Sequence, residues 1–106
     1  MIGGNMQAIL QQKSGSVTNE IGEKVQAWKD VHQFTGWLDL TAGDSKYTYN
    51  AKLQESTHIF ICDYAEVDRN TDDKRMVCNG MTFDILLIDD PMEMHQQLEI
   101  YLRYVG

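Results

Sequence analysis

The chain has 106 residues and a mass of 12.2 kDa, room for one domain, 1–106, with a modest core. Sixteen Asp and Glu against nine Lys and Arg give a net charge of −7 and a pI near 4.7. That balance argues against a protein whose main work is gripping nucleic-acid phosphates, which takes clustered cations.

One proline and frequent Val, Ile, Thr, Tyr and Phe favour strands over helices. Met6 to Lys13 is expected as a first short strand, after which Ser14-Gly15-Ser16 opens a polar connection through Gly22. Val25 to Leu40 reads as a long extended segment carrying Trp28, Phe34 and Trp37. Its alternation slips a face around Phe34–Gly36, which predicts a bulge or bend near Gly36. The two tryptophans lie among core candidates and are expected to be buried.

Thr41 to Ser56 spans sixteen residues, long for a connection in so small a domain. Such a stretch is functional or disordered, or is a surface strand or short helix laid across a barrel end. Thr57 to Tyr64 alternates His58, Phe60, Cys62 against Ile59, Ile61 and predicts a strand. Asn79-Gly80 suits the positive φ angles of a type I′ turn, so Cys78 should pair with Met81 and Met76 with Phe83. Met76, Cys78, Met81, Phe83, Ile85 and Leu87 then share the core face, with Leu86 and Ile88 on the other. After Asp90-Pro91-Met92-Glu93, a helix start by its chemistry, one turn near 91–95 and a strand at 97–105 are expected. A helical stripe through Met94, Leu98, Tyr101, Leu102 and Val105 is the alternative.

The charge is uneven: residues 1–54 carry five acids and five bases, residues 55–106 eleven acids and four bases. Cys62 and Cys78 form no C-x-x-C pair and are expected as free thiols in a reducing compartment. The N-terminus has neither the basic nor the apolar region of a signal peptide, nor a myristoylation site. Ile85-Leu86-Leu87-Ile88 is too short to span a membrane.

Chemistry-bearing patterns are weak. Asp68, Asn70 and Asp72 fit alternate positions of a calcium loop, but Asp73 replaces the turn glycine and Asn79 the closing glutamate. A solvated acidic loop is the expected state of this stretch. His32, His58, His95, Cys62 and Cys78 lack the close ligand pairs of a zinc site. No nucleophile motif and no glycine-rich phosphate loop occurs, so neither an enzyme nor a bound cofactor is expected. Trp28, Trp37 and the tyrosines could stack bases on an OB-like barrel, but no basic groove accompanies them.

The order of these features resembles the phage head–tail joining family, also called head-closure or stopper proteins. Trp28 and Trp37 come first, then Gly43-Asp44, then the strand from Thr57 to Tyr64. Arg75-Met76, Gly80, Phe83 and Ile85 follow, with Asp89-Asp90 leading into Leu98-Glu99-Ile100. Asp63 and Met81 stand where the family often carries basic residues. The resemblance implies a mainly antiparallel six-stranded β-barrel with one long loop and at most a short helix. It also implies a homo-oligomeric ring between a portal or adaptor ring and a tail-completion protein. Such a ring closes the DNA exit and lets DNA pass without specific binding. Assembly in the host cytoplasm and residence in the virion neck follow, with no membrane. The loop carrying Lys46, Tyr47, Tyr49 and Lys52 is expected to meet the channel or a partner, and Leu86 and Ile88 a neighbouring subunit. The alternative is a small OB-like or SH3-like barrel that binds peptide or nucleic acid.

Overall fold

The computed structural model describes residues 3–40 and 55–106. Strands β1 (Met6–Thr18), β2 (Lys24–Leu40), β3 (His58–Asp63), β4 (Lys74–Cys78) and β5 (Met81–Asp89) are followed by a single 3-10 turn, Pro91–Glu93, and by β6 (Gln97–Tyr104). They close into a barrel in the order β1-β2-β3-β6-β5-β4, every neighbouring pair antiparallel. Each strand is paired on both sides over part of its length.

The Asn79-Gly80 turn sets its hairpin as expected. Both residues take positive φ, 53° and 76°, and Cys78 faces Met81 while Met76 faces Phe83. The C-terminal segment is one turn and then a strand, so the helical alternative does not hold.

β1 does not stop at Lys13. It runs on to Thr18, with Val17 paired to Val25 and Thr18 to Lys24. The reversal sits later, where the Asn19 side chain accepts from the backbone N–H groups of Ile21 and Glu23. Ser14 and Gly15 form a bulge within the strand rather than a connection, with Gly15 at φ 77°.

The irregularity expected near Gly36 lies instead at Val31, the extra residue between Asp30, paired to Gln11, and His32, paired to Leu10. Gly36 is a point of close approach. A Cβ there would stand 2.2 Å from the Ile61 carbonyl oxygen and 2.9 Å from Cys62 Cβ. Phe34 and Gly36 face inward, which turns Trp37 outward at 48% exposure. The expectation that Trp37 is buried fails for this reason.

A third bulge, at Leu86, changes the reading of β5. Ile85 pairs with Leu102 and Leu87 with Tyr101, so one residue is extra and the strand changes face. Ile88 therefore belongs to the core at 2% exposure, and Leu87 takes the outer face. The core gathers Leu10, Phe34, Phe60, Met76, Phe83, Ile100 and Leu102 from all six strands. Cys62 and Cys78 are free thiols within it, and burial, together with the Asp63 charge, pushes Cys62 up to about 12.

One charged side chain enters this interior. Lys74 opens β4 in the inward row with Gln12, and its ammonium group is 2% exposed at one end of the barrel. Nζ donates to Asp68 Oδ2 and Asp73 Oδ1, each at 3.0 Å, and to the Asn70 carbonyl at 2.9 Å. Gln12 Nε2 donates to the other Asp73 oxygen at 2.8 Å. Burial lowers the Lys74 pKa, but the two carboxylates outweigh it and the net direction is up. Hydrogen bonds from Lys74 hold Asp68 and Asp73 below the usual carboxylate range. The acidic connection is thus wrapped around its own lysine.

Gly36→Ala should lower unfolding free energy in urea by about 3 kcal/mol, because the strand backbone must move to admit a methyl group. Gly80→Ala, which meets open space at φ 76°, should cost about 1–2 kcal/mol from backbone strain alone. At the barrel end, the pair Asp68→Asn and Asp73→Asn should lower the urea midpoint more than Lys74→Met. The first strands a buried ammonium, whereas the second leaves carboxylates that water reaches. Lowered carboxylate pKa values mean stability present above the unfolded pKa and lost as pH falls through the folded one. An acid titration of wild-type stability should therefore show a loss below about pH 4, and that loss should shrink in Lys74→Met.

Candidate interaction surfaces

The barrel has two different ends. At one lie the start of β1, the end of β2, the Asn79-Gly80 turn and the C-terminus. Here the 41–56 connection leaves and returns. Lys46, Tyr47, Tyr49 and Lys52 lie outside the described residues, but the return is anchored. Arg103 donates to Glu55 Oε2 at 2.9 Å and to Asp84 Oδ2 at 2.7 Å. Thr57 Oγ1 accepts from the Tyr104 N–H at 2.8 Å, and Ser56 is buried.

At the other end lie the β1–β2 hairpin, the 64–73 connection and the Pro91–Glu93 turn. Residues 63–74 and 89–95 hold eight acids against Arg69 and Lys74, a net of −6 out of the chain's −7. The imbalance between the sequence halves is therefore a polarity of the folded molecule. The calcium-like spacing has a local use: Asp68 Oδ1 accepts from the Asn70 N–H and Asn70 Oδ1 from the Asp72 N–H, while Asp68 and Asp73 hold Lys74. Asp68, Asn70 and Asp72 are exposed, in keeping with the solvated acidic loop expected here.

Among the described residues, Asp90, Glu93 and His95 come close enough to hold a metal, but their ligand atoms have other duties. Asp90, 1% exposed, accepts from the His95 backbone N–H at 3.0 Å and contacts the His95 ring Nδ1. Glu93 takes both Arg69 guanidinium nitrogens at 3.0 and 2.9 Å. This network locks a turn in which Met92, Glu93 and His95 all have positive φ, and it displays Met92 and Met94 to solvent. His32, His58, Cys62 and Cys78 do not converge on a metal site, in keeping with their lack of close ligand pairs. His32 packs on Phe34 and His58 on Phe83, and both cysteines are in the core.

The side of the barrel carries an apolar face that the alternation of single strands did not reveal. Trp37 neighbours Ile61, which neighbours Glu99, which neighbours Asp89. The adjoining row runs Asp39, Ile59, Tyr101, Leu87. Ile59, Ile61, Leu87 and Tyr101 are half-buried. Burial, with Asp89 beside it, raises the Glu99 pKa, and Glu99 Oε2 is buried without a hydrogen-bond partner among the described residues. The signal that could have found this face is barrel closure, which sets Trp37, Ile61 and Glu99 level across three strands.

Of the two residues expected at a subunit interface, neither forms an exposed patch. Ile88 is core, and Leu86, 7% exposed, lines a groove of about 360 Å³ with Trp28, Asp84 and Arg103. Trp28 is half-buried there beneath the Arg75 guanidinium, whose central carbon is 4.3 Å from the ring centroid. Arg75 Nε in turn donates to Gln11 Oε1 at 2.8 Å. Both tryptophans are thus on the outside of the barrel, one stacked and one exposed.

No curated protein matches this sequence. Among solved structures, the solution structure of protein SF1141 from Shigella flexneri 2a has the same fold, with a TM-score of 0.69 at 17% identity. The match covers 100% of this chain and 96% of that one. The sequence matches the family described as Phage head completion protein over residues 5–103. With a match that runs from just before β1 almost to the end of β6, the chain belongs to the Phage head completion protein family and has a structural role at the phage head.

Proposed function

We propose that this chain is a connector subunit of a phage or prophage particle, forming a ring that joins the DNA-filled head to the tail and closes the DNA exit. The observation that carries this reading is the family match over 5–103 on an intact closed barrel. The molecule's two unlike ends suit a part stacked between two different neighbours, a portal or adaptor ring on one side and a tail-completion protein on the other. The acidic end repels phosphate, so a channel it faces lets DNA slide without adhering. The connection with Lys46, Tyr47, Tyr49 and Lys52 lines or plugs that channel. Assembly takes place in the host cytoplasm, and the subunit works without a cofactor and without catalysis.

Deleting the gene in an inducible particle-forming host tests the reading. Filled heads and complete tails should accumulate unjoined, with packaged DNA leaking from the heads. Joined, DNA-retaining particles at the normal yield would refute it.

A further inference from the structure

The β1–β2 hairpin continues past the barrel as a free arm. β4 pairs with β1 only from Ala8 to Gln12, and β3 pairs with β2 only from Gly36 to Leu40. Beyond Lys13, whose N–H still meets the Asp73 carbonyl, the two strands pair with each other alone among the described residues, through Ser16–Thr18 and Lys24–Gln26. Six residues of extended chain reach about 20 Å, and the molecule measures 46 Å along its long axis against 28 and 23 Å across. A lone two-stranded ribbon is marginal in water. This one also exposes Val17 at 53%, Val25 at 40% and Ile21 at 77%.

Both edges of the arm are open, and they run in opposite directions. Copies arranged by rotation about an axis along the arm therefore meet edge to edge with the right polarity: β2 of one lies antiparallel to β1 of the next. We infer that, in the ring, Lys24–Gln26 of each subunit pairs with Ser16–Thr18 of its neighbour, so that the arms join into one continuous antiparallel β-cylinder projecting from the acidic end. This rests on the ring reading given above.

Three features fit that occupant. Val17 and Val25 are cross-strand partners within one arm, so arms at equal height place alternating Val17 and Val25 in one unbroken apolar row. The acids of the arm, Glu20 and Glu23, lie at the turn, away from the mating strands. The strand charges of the arm are Lys13 and Lys24, whose mutual repulsion keeps free subunits from pairing until a template ring gathers them. At the bulge, Gln26 Nε2 donates to the Gly15 carbonyl at 2.6 Å. That bond satisfies the irregular position from within and leaves Ser16–Thr18 as the regular edge.

The test uses two single variants, Val17→Cys and Val25→Cys, produced together in equal amounts in the particle-forming host. Both positions are solvent-exposed, and the native cysteines are buried and silent. Mild oxidation of purified particles should convert about half of the chains to disulfide-linked heterodimers, the statistical limit for a randomly mixed ring. Each variant alone should give none, because like positions are two strands apart. Neck rings that are intact by cryo-EM but lack the heterodimer, or show the arms apart, overturn the arm pairing and leave the ring reading standing. Particles whose necks contain no ring of this chain overturn both.

Discussion

Closure of the sheet turns on the residue that opens β4. After the 64–73 connection, the chain must return to the edge of β1 in the correct register, and Lys74 makes that return at a place where its ammonium group is sealed from water. An ammonium without partners would not stay there, so the connection is shaped to bring it Asp68, Asp73 and the Asn70 carbonyl. Gln12 ties Asp73 to β1, and the Lys13 N–H donates to the Asp73 carbonyl at 2.8 Å. The same few groups therefore fix the end of the acidic connection, start β4 and hold the root of the hairpin arm. Lys74 in this position also explains why a run of carboxylates, costly by mutual repulsion, is compatible with a compact barrel end.

Much of the barrel could be read from single strands. The Asn79-Gly80 turn fixed its own register because two positive φ angles admit few residue types, and His58–Asp63 declared itself by alternation. Reading failed where a strand changes face. The bulge at Leu86 inverts the roles of Leu87 and Ile88, and no local signal separates a four-residue apolar run with a bulge from one without. Ser14-Gly15-Ser16 has the chemistry of a turn, yet here it forms a bulge inside β1. Trp37 faces outward because Gly36, with no side chain to bury, occupies the inward position beside it.

The lateral face of Trp37, Ile59, Ile61, Leu87 and Tyr101 shows a different limit. Each residue comes from a strand whose other face supplies the core, so no single segment looks unusual. Only the closed register aligns them, together with the Asp89–Glu99 pair, in which burial first and the Asp89 charge second raise the Glu99 pKa. The acidic end was foreshadowed by the charge of the second half of the chain. Its concentration depends on the 63–74 and 89–95 segments emerging side by side, which the order β3-β6-β5-β4 brings about.

In the proposed ring, the arm bears on how many subunits the circle can hold. Each copy brings one ascending and one descending strand, so up–down alternation is preserved around a circle of any membership, odd or even. Joined arms are therefore indifferent to number: adding a copy widens the circle without a mismatched seam. The count must come from elsewhere, through the wedge angle between barrels or the symmetry of the ring on which they gather. Such a subunit could follow its template across a symmetry change without altering its own fold.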